Sequence, residues 1–222
     1  MTLPVTVLVV AKAPEPGLAK TRLAATVGNR VAAEIAAAAL LDTLDAVAAA
    51  PVAARVVALT GNLDNAAGTA ELRERLGAFT VVEQRGDDFA ERLVNAHADA
   101  ASAGYPVLQI GMDTPQVSAE LLTDCARRLL EAPAVLGMAQ DGGWWVLGVR
   151  SPEAAQCLRG VPMSQSDTGN ITRKALQDKG IEAALVPELA DIDVIGDVAG
   201  VRAVCGRTSR FARATEGVAT SS

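Results

Sequence analysis

Unbroken apolar runs alternate along the first 140 residues with stretches whose apolar positions recur at helical spacing. The runs Val5 to Val10, Arg55 to Thr60, Phe79 to Glu83, Val107 to Gly111 and Val135 to Met138 lack a polar alternate face, so they read as strands covered on both sides. Between them, GNRVAAEIAAAALLDTLDAVAAA predicts an Ala-rich helix that stops before Pro51. DDFAERLVNAHADAASAG places Asp88 and Glu91 at capping-box spacing and ends at Gly104. SAELLTDCARRLLEA starts on the cap residue Ser118 and stops before Pro133.

Strand and helix repeated in this way predict an α/β fold: a three-layer α/β/α arrangement around a mostly parallel sheet, because parallel neighbours need long right-handed crossovers. The pattern breaks at GGWWVLGVR, a strand that follows a Gly-Gly turn with no helix before it, so an antiparallel insertion is expected there. Residues 1–213 read as one domain and 214–222 as a flexible C-terminal tail.

Composition narrows the partners. Half of the residues are hydrophobic but only 3% are aromatic, so Ala, Val and Leu must build a closely packed core. A formal net charge of −6 argues against nucleic acid and anionic membranes, which require a cationic surface, and favours a small soluble ligand. No apolar run is long enough to span a bilayer, and the first ten residues lack the charged leader and cleavage site of an export signal, so a cytoplasmic location is expected. Cys125, Cys157 and Cys205 are too far apart for a metal knuckle and read as small reduced core residues. His97, the only histidine, lies at helical spacing from Phe89 and Leu93 and reads as packed, which removes histidine-dependent triads.

Ligands of open α/β sheets bind at the carboxyl ends of the strands, and several of these strands end in polar clusters. The first strand runs into AKAPEPGLAKTRL. Pro14 and Pro16 stiffen the loop, Gly17 permits close backbone approach, and Lys12, Lys20 and Arg22 supply cationic donors suited to a diphosphate. A helix starting near Lys20 would add its positive end. A P-loop is excluded, since aligning Lys20 and Thr21 on its Lys-Ser/Thr pair places Pro14 and Ala19 where glycines are required.

In LQIGMDTP a buried strand delivers Asp113 to the same sheet edge, where Mg²⁺ or Mn²⁺ could bridge it to phosphate oxygens. In AQDGGWWVLG, Gly142 and Gly143 allow a tight turn, Asp141 faces the cleft, and Trp144 and Trp145 must point to opposite sides of a strand. One tryptophan can pack in the core while the other offers a stacking platform for a sugar or base. In ELADIDVIGD, Asp191 and Asp193 project to one side; either completes a metal site with Asp113 or caps the helix that follows.

These stretches, with VPMSQSDTG, occur in the order seen in a bacterial family of predicted GT-A superfamily glycosyltransferases with a nucleotide-diphospho-sugar transferase fold, which the chain resembles over residues 5–205. The resemblance implies nucleotide binding by Ala11, Lys12, Pro16, Gly17, Lys20, Arg22 and Asp113, the last in the place of the metal-binding DxD aspartate. The sequence has one aspartate where many such enzymes have two, and DIDVIGD where DxDTPxD is usual. The same fold carries molybdenum-cofactor and phospholactate nucleotidyltransferases.

Three functions are therefore expected in turn. The first is glycosyl transfer from a nucleotide-diphospho-sugar: Lys20, Arg22 and a divalent ion (Asp113, Asp193) neutralise the leaving diphosphate, Asp141 orients or deprotonates the acceptor, and Asp141, Gly142, Gly143, Trp144 and Trp145 surround sugar and acceptor. The second is nucleotidyl transfer from an NTP to a phosphorylated acceptor, with Asp113 and Asp193 on the metal. The third is a nucleotide-binding module without catalysis.

Overall fold

A computed structural model describes residues 1–218. In chain order the elements are β1 (Leu3–Lys12), α1 (Thr21–Val27), α2 (Asn29–Ala49), β2 (Val52–Thr60), α3 (Thr69–Leu76), β3 (Thr80–Glu83), α4 (Phe89–Ala101), β4 (Val107–Ile110) and α5 (Ala119–Glu131). They continue with β5 (Ala134–Ala139), β6 (Trp144–Val149), α6 (Pro152–Ala155), α7 (Thr168–Gln177), β7 (Ala183–Leu189), α8 (Ile195–Val204) and α9 (Arg210–Ala214). The strands form one sheet in the order β3-β2-β1-β4-β6-β5-β7. β6 alone runs against its neighbours, pairing antiparallel with both β4 and β5, as the Gly-Gly turn with no crossover helix requires.

The alternation of side chains along the strands divides the core. Val5, Val7 and Val9 of β1 pack with Leu40, Leu44 and Leu122 from α2 and α5, while Leu8 and Val10 face Leu93, Val94 and Ala96 of α4. The result is the three-layer α/β/α architecture expected from the pattern. β3 departs from that expectation: Thr80, Val81 and Glu83 are exposed. It is an edge strand, so one flank has no neighbour and the helices reach only part of its faces. β7, the other edge, formed from a segment the apolar pattern does not single out, and it pairs parallel to β5.

The alanine richness of α2 has a packing cause. One side lies on the sheet, while Ala32, Ile35, Ala38 and Ala39 pack against Leu23, Val198, Val201 and Phe211 from α1, α8 and α9. A helix covered on both sides has room only for small residues along its close contacts. The predicted caps form: Ser118 Oγ accepts from Leu121 N and Asp88 Oδ1 from Glu91 N. The Glu91 carboxylate returns to Asp87 N, one residue before the cap.

Of the tail expected over 214–222, Thr215 is fully buried and donates to Phe211 O, and residues 219–222 lie outside those described. Arg210 reaches Asp42, Asp45 and Glu71, and it is this anchoring that returns α9 to α2 and α3. Cys125 and Cys157 are buried free thiols, with burial pushing the first up to about 12; Cys205 is half-buried. His97 is fully buried, and desolvation lowers its pKa to about 4, so it is neutral at pH 7. Among the described residues no helix is long and apolar enough to cross a membrane.

The hinge of this C-terminal return is Asp42, which accepts from Ser209 Oγ at 2.6 Å, Arg210 N at 2.9 Å and Phe211 N at 3.0 Å. Asp42→Ala leaves those donors without their acceptor, and we expect a loss of about 2 to 4 kcal/mol of unfolding free energy. A lowered urea midpoint at unchanged slope would be the measurement.

Candidate functional site

The carboxyl ends of β1 and β4 and the segment after β7 converge on one cleft. Its first half is a cavity of about 450 Å³ lined by Lys12, Lys20 and Arg22. The loop that carries them is tied down by Glu15, buried, whose carboxylate accepts from Asn62 N at 2.8 Å and Asn65 Nδ2 at 3.3 Å. Lys12 Nζ donates to Leu18 O at 2.8 Å and closes the loop on itself. Pro16 and Gly17 (φ 81°) shape this turn but line neither half of the cleft. Ala11 is buried, its carbonyl accepting from Gln84 Nε2 at 2.8 Å, so it acts through backbone placement alone.

Lys20 crosses the cleft. Its side chain is 9% exposed, its ammonium lies 2.9 Å from Asp113 Oδ1 and it also donates to Ile192 O. Arg22, largely exposed, pairs with Asp193. The two carboxylates expected to share a metal thus stand at one rim, each facing a cation. Neither Asp191 nor Asp193 caps α8; Asp197 does, accepting from Asp193 N and Val194 N at 2.8 Å each.

The second half is a cavity of about 220 Å³ that shares Met112, Asp113 and Ser164 with the first and is lined by Asp141, Asp191 and Trp144. The turn before β6 is built by a close approach. At Gly142 (φ 89°) a Cβ would stand 1.8 Å from Ser166 O, and Gly169 N donates to Gly142 O at 2.8 Å. No side chain fits there. Asp141 Oδ1 accepts from Gly143 N at 2.7 Å, which orients the carboxylate beside the cleft. The tryptophans divide as alternation demands. Trp145 is core, donating from Nε1 to Pro187 O at 2.9 Å over Gly137; both border the cavity, but only Trp144 is half-buried and so stands open to it as a wall.

Among the described residues only Lys20 (φ 48°) and Ser164 (φ 59°) combine a side chain with left-handed backbone, and both line the cationic cavity. Such strain concentrates where ligands bind. Ser164 was legible only as a member of VPMSQSDTG. Asp191, one of two aspartates left equivalent by spacing, is the one facing the second cavity. Burial first, then the charge of Asp141 and a smaller contribution from Asp113, raise its pKa to about 6.

Among the described residues no group of three metal-ligating side chains stands ready-made. The chemistry of the donors nonetheless suits a hard cation: oxygen ligands only, and a like-charge cluster around Asp191 that a proton or a divalent ion would relieve.

A carboxyl whose folded pKa lies above its unfolded value of 3.8 favours the folded state while protonated and loses that advantage as pH rises toward 6. Asp191→Asn is therefore expected to raise Tm at pH 7.5 and to leave it nearly unchanged at pH 4. Scanning calorimetry at the two pH values checks this.

Comparison with known proteins agrees with this fold. A crystal structure from Desulfovibrio desulfuricans G20, provisionally described as a nucleotide-diphospho-sugar transferase, superposes with a TM-score of 0.83 at 25% identity, covering 98% of this chain and 97% of that one. A cytidylyltransferase from Leptospira borgpetersenii serovar Hardjo-bovis (TM-score 0.56, 14% identity, 97% and 94% covered) shares the fold. So does a CMP:2-keto-3-deoxy-manno-octonic acid synthetase solved with CTP (0.53, 13%, 90% and 97%). No curated protein matches the chain. The architecture is the one these three structures share. A family model matches residues 43–165, more than half of the sequence, so the chain belongs to DUF2064, the uncharacterised proteins conserved in bacteria.

Proposed function

We propose that the protein is a glycosyltransferase using a nucleotide-diphospho-sugar donor. One observation carries the reading: a cationic cavity and an acidic, tryptophan-walled cavity share a boundary at Asp113. A donor has the same division, an anionic diphosphate joined to a neutral ring. Lys12, Lys20 and Arg22 would take the diphosphate, and Lys20 and Arg22 would stabilise the charge that develops on it as the glycosyl bond breaks. The ion pairs to Asp113 and Asp193 keep the cations in place and compensated until phosphate replaces the carboxylates. Mg²⁺ or Mn²⁺, if used, would be held by Asp113 with Asp193 or Asp191 and would supply Lewis-acid neutralisation of the diphosphate. Trp144 would lie against the ring, and Asp141 would orient or deprotonate the acceptor hydroxyl, with Asp191 beside it titrating near neutrality.

The likeness to a protein provisionally described as a nucleotide-diphospho-sugar transferase supports this reading. Nucleotidyl transfer from an NTP to a phosphorylated acceptor is the second reading, favoured by the cytidylyltransferase and the CTP-bound synthetase that share the fold. A nucleotide-binding module without catalysis is the third.

The products separate them. With Mn²⁺ and a nucleotide-sugar panel, release of UDP or GDP is expected; pyrophosphate release from an NTP would establish the second reading, and nucleotide-induced thermal stabilisation without turnover the third. Lys20→Ala is expected to weaken nucleoside diphosphate binding roughly tenfold or more, read by calorimetry. Asp141→Asn keeps the oxygen that accepts from Gly143 N, so it should lower kcat by about 10²-fold while donor affinity holds.

A further inference from the structure

β4 is buried along its whole length, yet its third residue is a glutamine. Gln109 pairs in register with Leu8 and Leu147, positions where an aliphatic side chain would pack without cost. It is 2% exposed, and its Oε1 has no hydrogen-bond partner among the described residues. Thr114, 3% exposed, is in the same condition at Oγ1. A buried polar atom left unpaired carries the full cost of its desolvation. Both residues line the smaller cavity, whose walls are the apolar side chains of Phe89, Leu93, Trp144 and Met163. The cavity is thus an apolar box bordered by two residues with unmet hydrogen-bonding groups and by the carboxylates of Asp113, Asp141 and Asp191.

That inventory selects a ligand class. Three carboxylates only accept when ionised, the Gln109 carboxamide offers an acceptor oxygen and a donor NH2, and the threonine hydroxyl can do either. What enters must be rich in donors and must present C–H faces to Trp144 and Phe89. A sugar ring meets both conditions, with a hydroxyl donor on most carbons and apolar faces between them. A pyrimidine base sets one donor edge, the cytosine amino group or the uracil ring N–H, among carbonyl and ring acceptors, and so offers fewer donors to the carboxylates than a ring with a hydroxyl on most carbons. A sugar acid would bring a further negative charge into a cavity already lined by Asp113, Asp141 and Asp191.

We propose that Gln109 and Thr114 form the floor of a subsite that selects a neutral hydroxylated ring carried on phosphate, with Gln109 Oε1 accepting from one ring hydroxyl. The inference rests on the transferase reading above, since it places the phosphate in the adjoining cationic cavity. The ring can arrive as a nucleotide sugar or as a sugar phosphate.

The test is calorimetric titration of the full chain with Mg²⁺ present. UDP and GDP are compared with UDP-glucose, GDP-mannose and UDP-glucuronate, and inorganic phosphate with glucose 1-phosphate. A neutral hexose should tighten binding over its ring-free counterpart, in the nucleotide arm for a donor or in the phosphate arm for a sugar phosphate. Glucuronate should bind at least roughly tenfold more weakly than glucose. In Gln109→Met, which keeps the volume, the gain from the hexose should fall by about tenfold or more. Binding of UDP and phosphate should hold, and Tm should stay level or rise because a buried orphan is removed. Among monodeoxy hexose ligands, one position should lose affinity in the natural protein and lose none further in Gln109→Met.

An unchanged hexose gain in Gln109→Met overturns the proposal. So does equal binding of glucuronate and glucose, or a parallel loss for UDP and UDP-glucose with a lower Tm, which would make Gln109 an internal structural group. UDP or GDP binding without any hexose gain overturns the subsite and leaves the transferase reading standing. Failure of every nucleotide and sugar phosphate to bind overturns that reading, and the subsite with it.

Discussion

A nearly buried ammonium set against a carboxylate holds this cleft in shape. Lys20 comes from the loop after β1, Asp113 from the loop after β4, and Ile192, whose carbonyl completes the lysine's surroundings, from the segment after β7. Ile192 N in turn donates to Asp113 O at 3.1 Å. Three segments remote in sequence are thereby joined at one charge. A lysine withdrawn from water in this way must be compensated, so Asp113 cannot be moved far without another anion taking its place. The left-handed backbone at Lys20 adds to the constraint, since a residue with a side chain stays there only when its surroundings hold it.

The sheet makes that junction available. A parallel arrangement brings the carboxyl ends of β1, β4 and β5 to one edge, and the order β1-β4-β6-β5 puts the two polar loops next to each other. β6 enters antiparallel, so its start lies at this same edge and delivers Trp144 to the cleft while the rest of the strand fills the core. The close backbone contact of Gly142 with Ser166 then docks the loop bearing Ser164 over both cavities. Charge separates the two: cations on the side of the first strand, carboxylates and indole on the side of the inserted one.

Much of this was legible from local chemistry. The apolar runs identified the strands because burial on both faces leaves no polar alternation, and Ser118 and Asp88 marked helix starts because a cap is a contact within one turn. Lys12, Lys20, Arg22, Asp113, Asp141 and Trp144 were each visible as polar or aromatic residues ending an apolar run. The edge position of β3, the strand β7 and the anchoring of α9 through Arg210 were not, since each depends on what a neighbour from a distant part of the chain covers.

The sequence by itself determined the α/β class, the polar clusters at strand ends and the alternation that sends Trp144 and Trp145 to opposite faces, because these follow from spacing along a backbone of fixed period. Only the tertiary structure decided that Trp145 is core and Trp144 a wall, that Asp191 lies against the carboxylates while Asp193 meets Arg22, and that Gln109 is left without a partner beside a cavity. Those outcomes depend on burial and on distances between residues remote in sequence, and no local spacing encodes either.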